Sequence, residues 1–347
     1  AQLVMVIMAV IFIVLLTQSP TFPTQSSDQL PQSVNSQVKP KEQVDVATAN
    51  VKRIAVMITV TKDMDILDGC AVLAESARLM HSKYPLDLVA IVHPGVKTSR
   101  APLAKIGFKI IERAVPVNLD NTPEVYQQEV KRAGCCGIYE MLKLEALTLL
   151  DYWKVLAVDV DSIFLQNMDE LFESEKILQY TQDTPMDIHH FNTVPPAQGG
   201  FLLFTPSQKA YDELVAIGQK ADWRPGTGWE GFKIGYHWGG TTIQGILPYY
   251  FGMKAPHGWS KILDRCKYNN MADLNCTQVP YTDVKSVHFT NCQKPWLCIV
   301  VGSANKDMCA YFHKQWWDIR DSYQKRVGLF EPPAPNHASR CPRSGYP

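Results

Sequence analysis

The chain has 347 residues, and Lys plus Arg balances Asp plus Glu at 34 each, so its formal net charge is zero. That length is ample for a buried core in one or two domains, and the charge balance excludes the basic field that drives nucleic-acid binding, so no nucleic-acid partner is expected. Nine cysteines suit an oxidising secretory compartment better than the cytosol.

In chain order, Leu3 to Leu16 is wholly apolar but shorter than the ~20 residues that span a bilayer. The chain starts at Ala1 rather than Met, so residues 1–16 read as a signal anchor truncated at its front. A cleaved signal peptide competes, and is disfavoured because no small-residue cleavage site follows Leu16. Residues 17–50, rich in Ser, Gln, Pro and Thr, read as a disordered stem. The expected folded domain is 51–330, followed by a proline-rich tail at 331–347.

Arg53 to Thr61 is a β-branched, apolar run of the type buried in parallel sheets, and Lys62 to Asp68 is its polar turn. Gly69 to His81 carries apolar residues at helical spacing, and Leu86 to His93 is a second strand. Strand, helix and strand in about forty residues predict a βαβ unit with a parallel sheet, whose first turn is where a nucleotide would lie. A further strand is expected at Lys109–Glu112 with an irregular end at Val115–Val117, then a polar loop over Asn118–Gly134. Ile138 to Trp153 has a helical pattern, with Tyr139, Leu142, Ala146, Leu147 and Leu150 inward and Lys143 as its one deep cation; a snorkelling surface lysine is the plain alternative.

Val155 to Val158 is a short buried strand that ends on Asp159 and Asp161. Residues i and i+2 of an extended segment share a side, so both carboxylates can reach one cation. A hard divalent ion held this way completes its shell with phosphate oxygens, which predicts a metal–diphosphate site; a solvated loop is the alternative. Ser174 to Pro196 reads as a long polar segment, in which His189-His190 make a poor chelating pair. Gln198-Gly199-Gly200 opens a buried strand to Phe204, where glycine lets backbone approach a ligand, and Ser207 to Gln219 is an amphipathic helix. Tyr236 to Phe251 is dense in aromatics and glycines, which suits either a sugar platform or a packed core. His288 stands at a strand end and Lys294 six residues later, a candidate third ligand and a candidate phosphate contact. Trp316-Trp317 fall in a helix. Cys266 and Cys276 flank a polar loop, Cys292, Cys298 and Cys309 lie close together, and the absence of any Cys-x-x-Cys pair disfavours zinc. Asn275-Cys276-Thr277 is the one glycosylation sequon and agrees with a lumenal glycoprotein.

In order, the Thr59–Arg78 strand, turn and helix, Lys143-Leu144, Asp159-Val160-Asp161-Ser162 with Asn167–Phe172, Gly200 with its strand, Gln244–Leu247, and His288-Phe289 with Lys294-Pro295-Trp296 resemble glycosyltransferase family 8, the glycogenin-like retaining enzymes. The resemblance covers most of Arg53 to Trp296. It implies an α/β class: the GT-A fold, a single Rossmann-like nucleotide-diphospho-sugar transferase domain with a mixed, mostly parallel sheet. It places a divalent cation, normally Mn²⁺, on Asp159, Asp161 and His288, and the donor diphosphate against Lys294. Uridine falls to the turn of Val60, Lys62 and Asp63. Lys143 matches a lysine near the donor sugar, Gln198 and Gln244 match positions that touch it, and Gly200 lies alongside. Lys143 and Gln244 are the implied catalytic pair.

Three positions depart from the family pattern: Ile243 where an acid usually precedes Gln-Gly, Asn291 where a glycine follows the histidine, and Ile66 where an aromatic stands in the first turn. The expectation is a Mn²⁺-dependent retaining glycosyltransferase that moves a hexose from a UDP-sugar to a glycan or protein acceptor. It would be a Golgi type II membrane protein with its catalytic domain in the lumen, with a secreted form and a homodimer both compatible. A non-catalytic UDP- or sugar-binding member of the same fold is the alternative, favoured by Ile243.

Overall fold

A computed structural model describes residues 51–133, 137–183, 194–236, 239–297 and 305–329. The expected signal anchor, stem and tail, and the His189-His190 pair, lie outside these residues. Among the described residues no helix is long and apolar enough to cross a membrane.

The first half alternates strands and helices: β1 (Ile54–Val60), α1 (Leu67–Leu79), β2 (Leu86–Val92), α2 (Arg100–Ile106), β3 (Phe108–Glu112), α3 (Glu124–Arg132), a 3₁₀ segment (Gly137–Thr148), β4 (Lys154–Val158), β5 (Ser162–Phe164) and α4 (Asp169–Phe172). The second half holds β6 (Leu178–Gln182), β7 (Ala197–Phe204), α5 (Gln208–Lys220), the two-residue strands β8 (Trp223–Arg224) and β9 (Gly228–Trp229), α6 (Ile243–Tyr249), β10 (Ser260–Leu263), α7 (Arg265–Tyr268), β11 (Ser286–His288) and α8 (Lys306–Arg326).

Seven strands form one sheet in the order β10-β6-β7-β4-β1-β2-β3. Only β7 runs against the others, pairing antiparallel with β4 and β6, so the sheet is mixed and mostly parallel as expected. Both faces are buried, and the strand period of two shows in which cluster each residue joins. Ile54, Val56 and Ile58 pack beneath α1 with Leu73, Ala77 and Phe172, whereas Ala55 and Met57 face Leu144, Leu202, Leu214 and Ile246. A third cluster joins Val72 of α1 and Ile163 of β5 to Val287, Phe289, Phe312 and Trp316, and so seats α8 and β11 on the domain. Burying each of the Val, Leu, Ile, Met and Phe side chains among them is worth about 1.5–3 kcal/mol.

Four expectations are corrected. Residues 137–148 are 3₁₀ rather than an α-helix to Trp153, and Met141 to Leu147 are buried on every side. That segment lies in the core between sheet and helices, so no polar face remains, and Leu150 projects outward at 60% exposure. The polar loop at 118–134 contains α3, which periodicity missed because only Tyr126 and Val130 of it are buried. Ser174–Pro196 contains β6, whose buried polar residues disguise it: Gln179 donates to the Leu171 carbonyl and Asn269 donates to Thr181. The irregular end at Val115–Val117 forms no strand.

Candidate active site

The sheet delivers Asp159 and Asp161 just past the carboxyl end of β4, where ligands collect in open α/β sheets. The Asp159 amide reaches the Gly200 carbonyl of β7 at 3.3 Å, and the Ser162 amide turns back to the Asp159 carbonyl at 3.1 Å. β11 pairs antiparallel with β5, setting His288 opposite Ser162. The Phe289 amide then donates to the Asp161 carbonyl at 2.8 Å. Two backbone ladders thus carry the histidine back, across 127 residues of sequence, to the carboxylates.

One ligand atom each from Asp159, Asp161 and His288 lies within 4.8 Å of the others, and among the described residues this is the one cluster of its kind. His288 Nε2 is 3.4 Å from Asp161 Oδ1, 3.7 Å from Asp159 Oδ2 and 2.9 Å from Thr290 Oγ1. Its Nδ1 is buried without a hydrogen-bond partner, so the ring is bonded only on the side facing the carboxylates. Gly200 makes room for that ring: a Cβ there would stand 2.4 Å from His288 Cε1. Two carboxylates and an imidazole make a hard, mixed oxygen and nitrogen donor set that suits Mn²⁺ or Mg²⁺.

Two ammonium groups flank this cluster. Lys294 pairs with Asp161 and donates to the Phe289 carbonyl at 2.9 Å, with its side chain one third exposed. Lys143, expected on simple grounds to snorkel, has a side chain only 2% exposed and pairs with Asp159 at 2.8 Å and Glu140 at 2.7 Å. Burial works against the charge on Lys143, yet the two carboxylates outweigh it and hold its pKa above the ordinary range. Burial also opposes ionisation of Asp161, but His288 and Lys294 hold its carboxyl well below the usual range. His288 shows the converse: burial lowers its pKa, but the aspartates, Asp161 first, outweigh burial for a net upward shift.

The remaining predicted residues take varied positions. Val60 ends β1 with a buried side chain, and Lys62 is exposed in the following turn. Asp63 has its carboxylate occupied by the backbone amides of Lys97, Thr98 and Ser99 and by the Ser99 hydroxyl, which depress its pKa and tie this turn to the start of α2. Gln198 braces Gly200, whose amide donates to its Oε1 at 2.6 Å, and takes a second bond from Asn269. Gln244 is half-buried in α6 with its amide oxygen beside Gly239; its neighbour Ile243 is the residue that reaches Gly199. The aromatics of Tyr236–Phe251 resolve toward core: Tyr249 and Tyr250 are buried, and Tyr249 stacks on Trp229 at 6.0 Å. His237 and Trp238 lie outside the described residues.

Sequence reasoning overlooked Glu140, although its place three residues before Lys143 was a usable signal for a neighbour on a helical turn. It also overlooked Asp183, buried at the end of β6, whose pKa burial raises despite Arg265 and His288 nearby. Nothing local in the sequence marks Asp183.

No family model matches the chain. Among curated proteins it is similar to putative UDP-glucuronate:xylan alpha-glucuronosyltransferase 5 of Arabidopsis thaliana, with 25% identity over 194 residues, 53% of this chain and 29% of that protein. It is similar to the glycogenin of Komagataella phaffii, with 26% identity over 194 residues, 50% of this chain and 42% of that protein. It also matches glycogenin-1 of Mus musculus, with 24% identity over 242 residues, 69% of this chain and 64% of that protein. The chain therefore spans less than two thirds of the length of each of these relatives. Among solved structures it aligns with the galactosyltransferase LgtC in complex with donor and acceptor sugar analogs, at TM-score 0.49 and 13% identity, over 82% of this chain and 99% of that one. Mouse xyloside xylosyltransferase 1 aligns at TM-score 0.40 and 16% identity, over 69% of this chain and 97% of that one. By sequence, the chain is a distant relative of glycosyltransferases.

Proposed function

We propose that the protein is a glycosyltransferase of GT-A type that transfers a hexose from a UDP-sugar to a glycan or protein acceptor, with retention at the anomeric carbon. The observation that carries this reading is the convergence of Asp159, Asp161 and His288 within 4.8 Å, with the Lys294 ammonium on Asp161. Asp159, Asp161 and His288 would hold a divalent cation, with Mn²⁺ the expected ion. When bound, that cation supplies positive charge where the departing diphosphate gains negative charge. Lys294 is the partly exposed cation of the site and can turn from Asp161 to a phosphate oxygen, adding preorganised stabilisation of the same charge.

The buried Lys143 stays protonated and fixed, so it offers a hydrogen-bond donor of set position rather than a mobile charge. Gln244 is assigned to steady the sugar from the first turn of α6. Retention is read as attack by the acceptor from the face the diphosphate leaves. Two disulfides, Cys266–Cys276 and Cys292–Cys309, support residence in an oxidising compartment. With residues 1–16 as anchor and 17–50 as stem, the reading is a Golgi lumenal enzyme.

UDP release from a panel of UDP-sugars, with Mn²⁺ and with EDTA, tests the proposal. Turnover that EDTA abolishes and Asp161→Ala removes is expected; full turnover in either case would sink the metal assignment. Ile243, fully buried and apolar at the first position of α6, favours a second reading in which the site binds UDP without turning it over. Calorimetric binding of UDP with no turnover of any donor would select that reading.

A further inference from the structure

The site has two unlike flanks. On the Lys294 side, Trp296 lies against Gly69 at the start of α1: a Cβ on Gly69 would stand 2.8 Å from its ring and 3.0 Å from the Val160 carbonyl. That flank adjoins the turn after β1, the edge where this topology receives a nucleotide. On the other flank Lys143 meets Asp159, and beyond it stand Glu140, Gly199 and Ile243. A group carried on a diphosphate held at the first flank can extend over the second.

One point in space defines that second flank. The position a Cβ would take on Gly199 is 3.3 Å from Lys143 Nζ, 3.4 Å from Glu140 Oε2 and 3.3 Å from Ile243 Cγ2. The missing side chain of Gly199 thus lets a donor, an acceptor and an apolar methyl converge on one point of the site wall. A sugar ring needs that combination, because its hydroxyls both give and take hydrogen bonds while its C–H faces are apolar. Charge makes the same point. Lys143 faces two carboxylates, Asp159 and Glu140, so one negative charge more than Lys143 neutralises stands beside it, with the Glu140 side chain only 15% exposed. Among the described residues, Lys143 is the one group seen donating to it.

We propose that Glu140 is the carboxylate on the sugar side of this site, accepting hydrogen bonds from hydroxyls of the transferred group and so selecting the donor. The proposal rests on the UDP-sugar reading above. It assigns the acid that Ile243 does not supply to the other side of Gly199, on the core 3₁₀ segment.

The test compares UDP with UDP-sugars, both with Mn²⁺, on the full chain and on Glu140→Gln. The variant is expected to bind UDP within about twofold of wild type. Its kcat/KM for the best donor should fall about 10- to 100-fold, the size of a lost hydrogen bond to a charged group. Its preference for that donor over the epimers should shrink as well. An unchanged kcat/KM, or equal weakening toward UDP and the UDP-sugar, would overturn the proposal; the second result would mean that Glu140 merely supports Lys143. Glu140→Asp keeps the charge but withdraws it by one methylene, and should show the same selective loss if the glutamine variant does not fold. Absence of UDP binding by the wild-type chain would instead overturn the UDP-sugar reading itself, and this proposal with it.

Discussion

The two halves of the Asp159–Asp161–His288 cluster are built differently. The aspartates follow β4, which lies between β1 and β7 in the middle of a seven-stranded sheet and is buried along its length. His288 and Lys294 come from a peripheral segment. β11 has three residues paired with the three of β5, and the stretch after it is fastened by the Cys292–Cys309 disulfide to α8. One half is positioned by the sheet, and the other by a short ladder, an apolar layer and a covalent tether. Precision in a site can therefore come from central strands or be assembled outside them.

The largest effect that would sharpen this contrast falls on the sheet half. Asp161→Ala should lower the proposed Mn²⁺-dependent UDP-sugar turnover by about 10²- to 10³-fold or more, because it removes a proposed metal ligand and the partner of Lys294 together. Initial rates across a Mn²⁺ titration would show it. Next comes the tether. Cys309→Ser opens a link between residues 17 apart, and closing a loop of about 15 residues is worth about 3 kcal/mol. Denaturant midpoints should fall accordingly, and the variant's KM for the donor should rise; an unchanged KM would mean that β11 alone holds His288 and Lys294.

Glu75 tests the seat of α8. Its carboxylate, fully buried on α1, accepts from Arg78 and Arg326 at 2.7 Å and from Ser322 at 2.8 Å. Burial raises its pKa, and these partners outweigh burial to lower it to about 2. Because the folded pKa lies below that of the unfolded chain, the stabilisation is complete above the ordinary value of 4.5 and is lost as pH falls toward 2. Glu75→Gln should cost about 2–4 kcal/mol at neutral pH and flatten the stability profile across that acid window. Thermal unfolding at several pH values checks both. The smallest effect lies far from the cluster. Ser207 caps α5 by accepting from the Ala210 amide, so Ser207→Ala should cost about 1 kcal/mol in chemical denaturation and leave UDP binding unchanged.

The same contrast governs what could be read from the chain. Apolar β-branched runs such as Ile54–Val60 and Val155–Val158 announce buried parallel strands, and a carboxylate pair two residues apart just past one of them marks a candidate cation site. β6 escaped because its buried Gln179 and Thr181 imitate a solvated strand, their bonds being made to Leu171 and Asn269. Lys143 looked like a surface residue because periodicity reports faces, and a segment buried on all sides has none. Glu140 matters only once Gly199, far along the chain, is brought beside it. His288 and Lys294 became partners of the aspartates through resemblance rather than through anything local, since the β5–β11 ladder leaves no mark in three residues.

The tether after β11 also has a consequence in time. Strands β1 to β7 include the part of the sheet that carries the aspartates, and they leave the ribosome before residue 309 is made. The link from Cys292 can close only after α8 has begun to emerge, and such bonds form over seconds to hours in an oxidising environment. The nascent chain thus carries its carboxylates early and secures its histidine and lysine late, so its site is completed by the maturation of the last helix rather than by folding of the sheet.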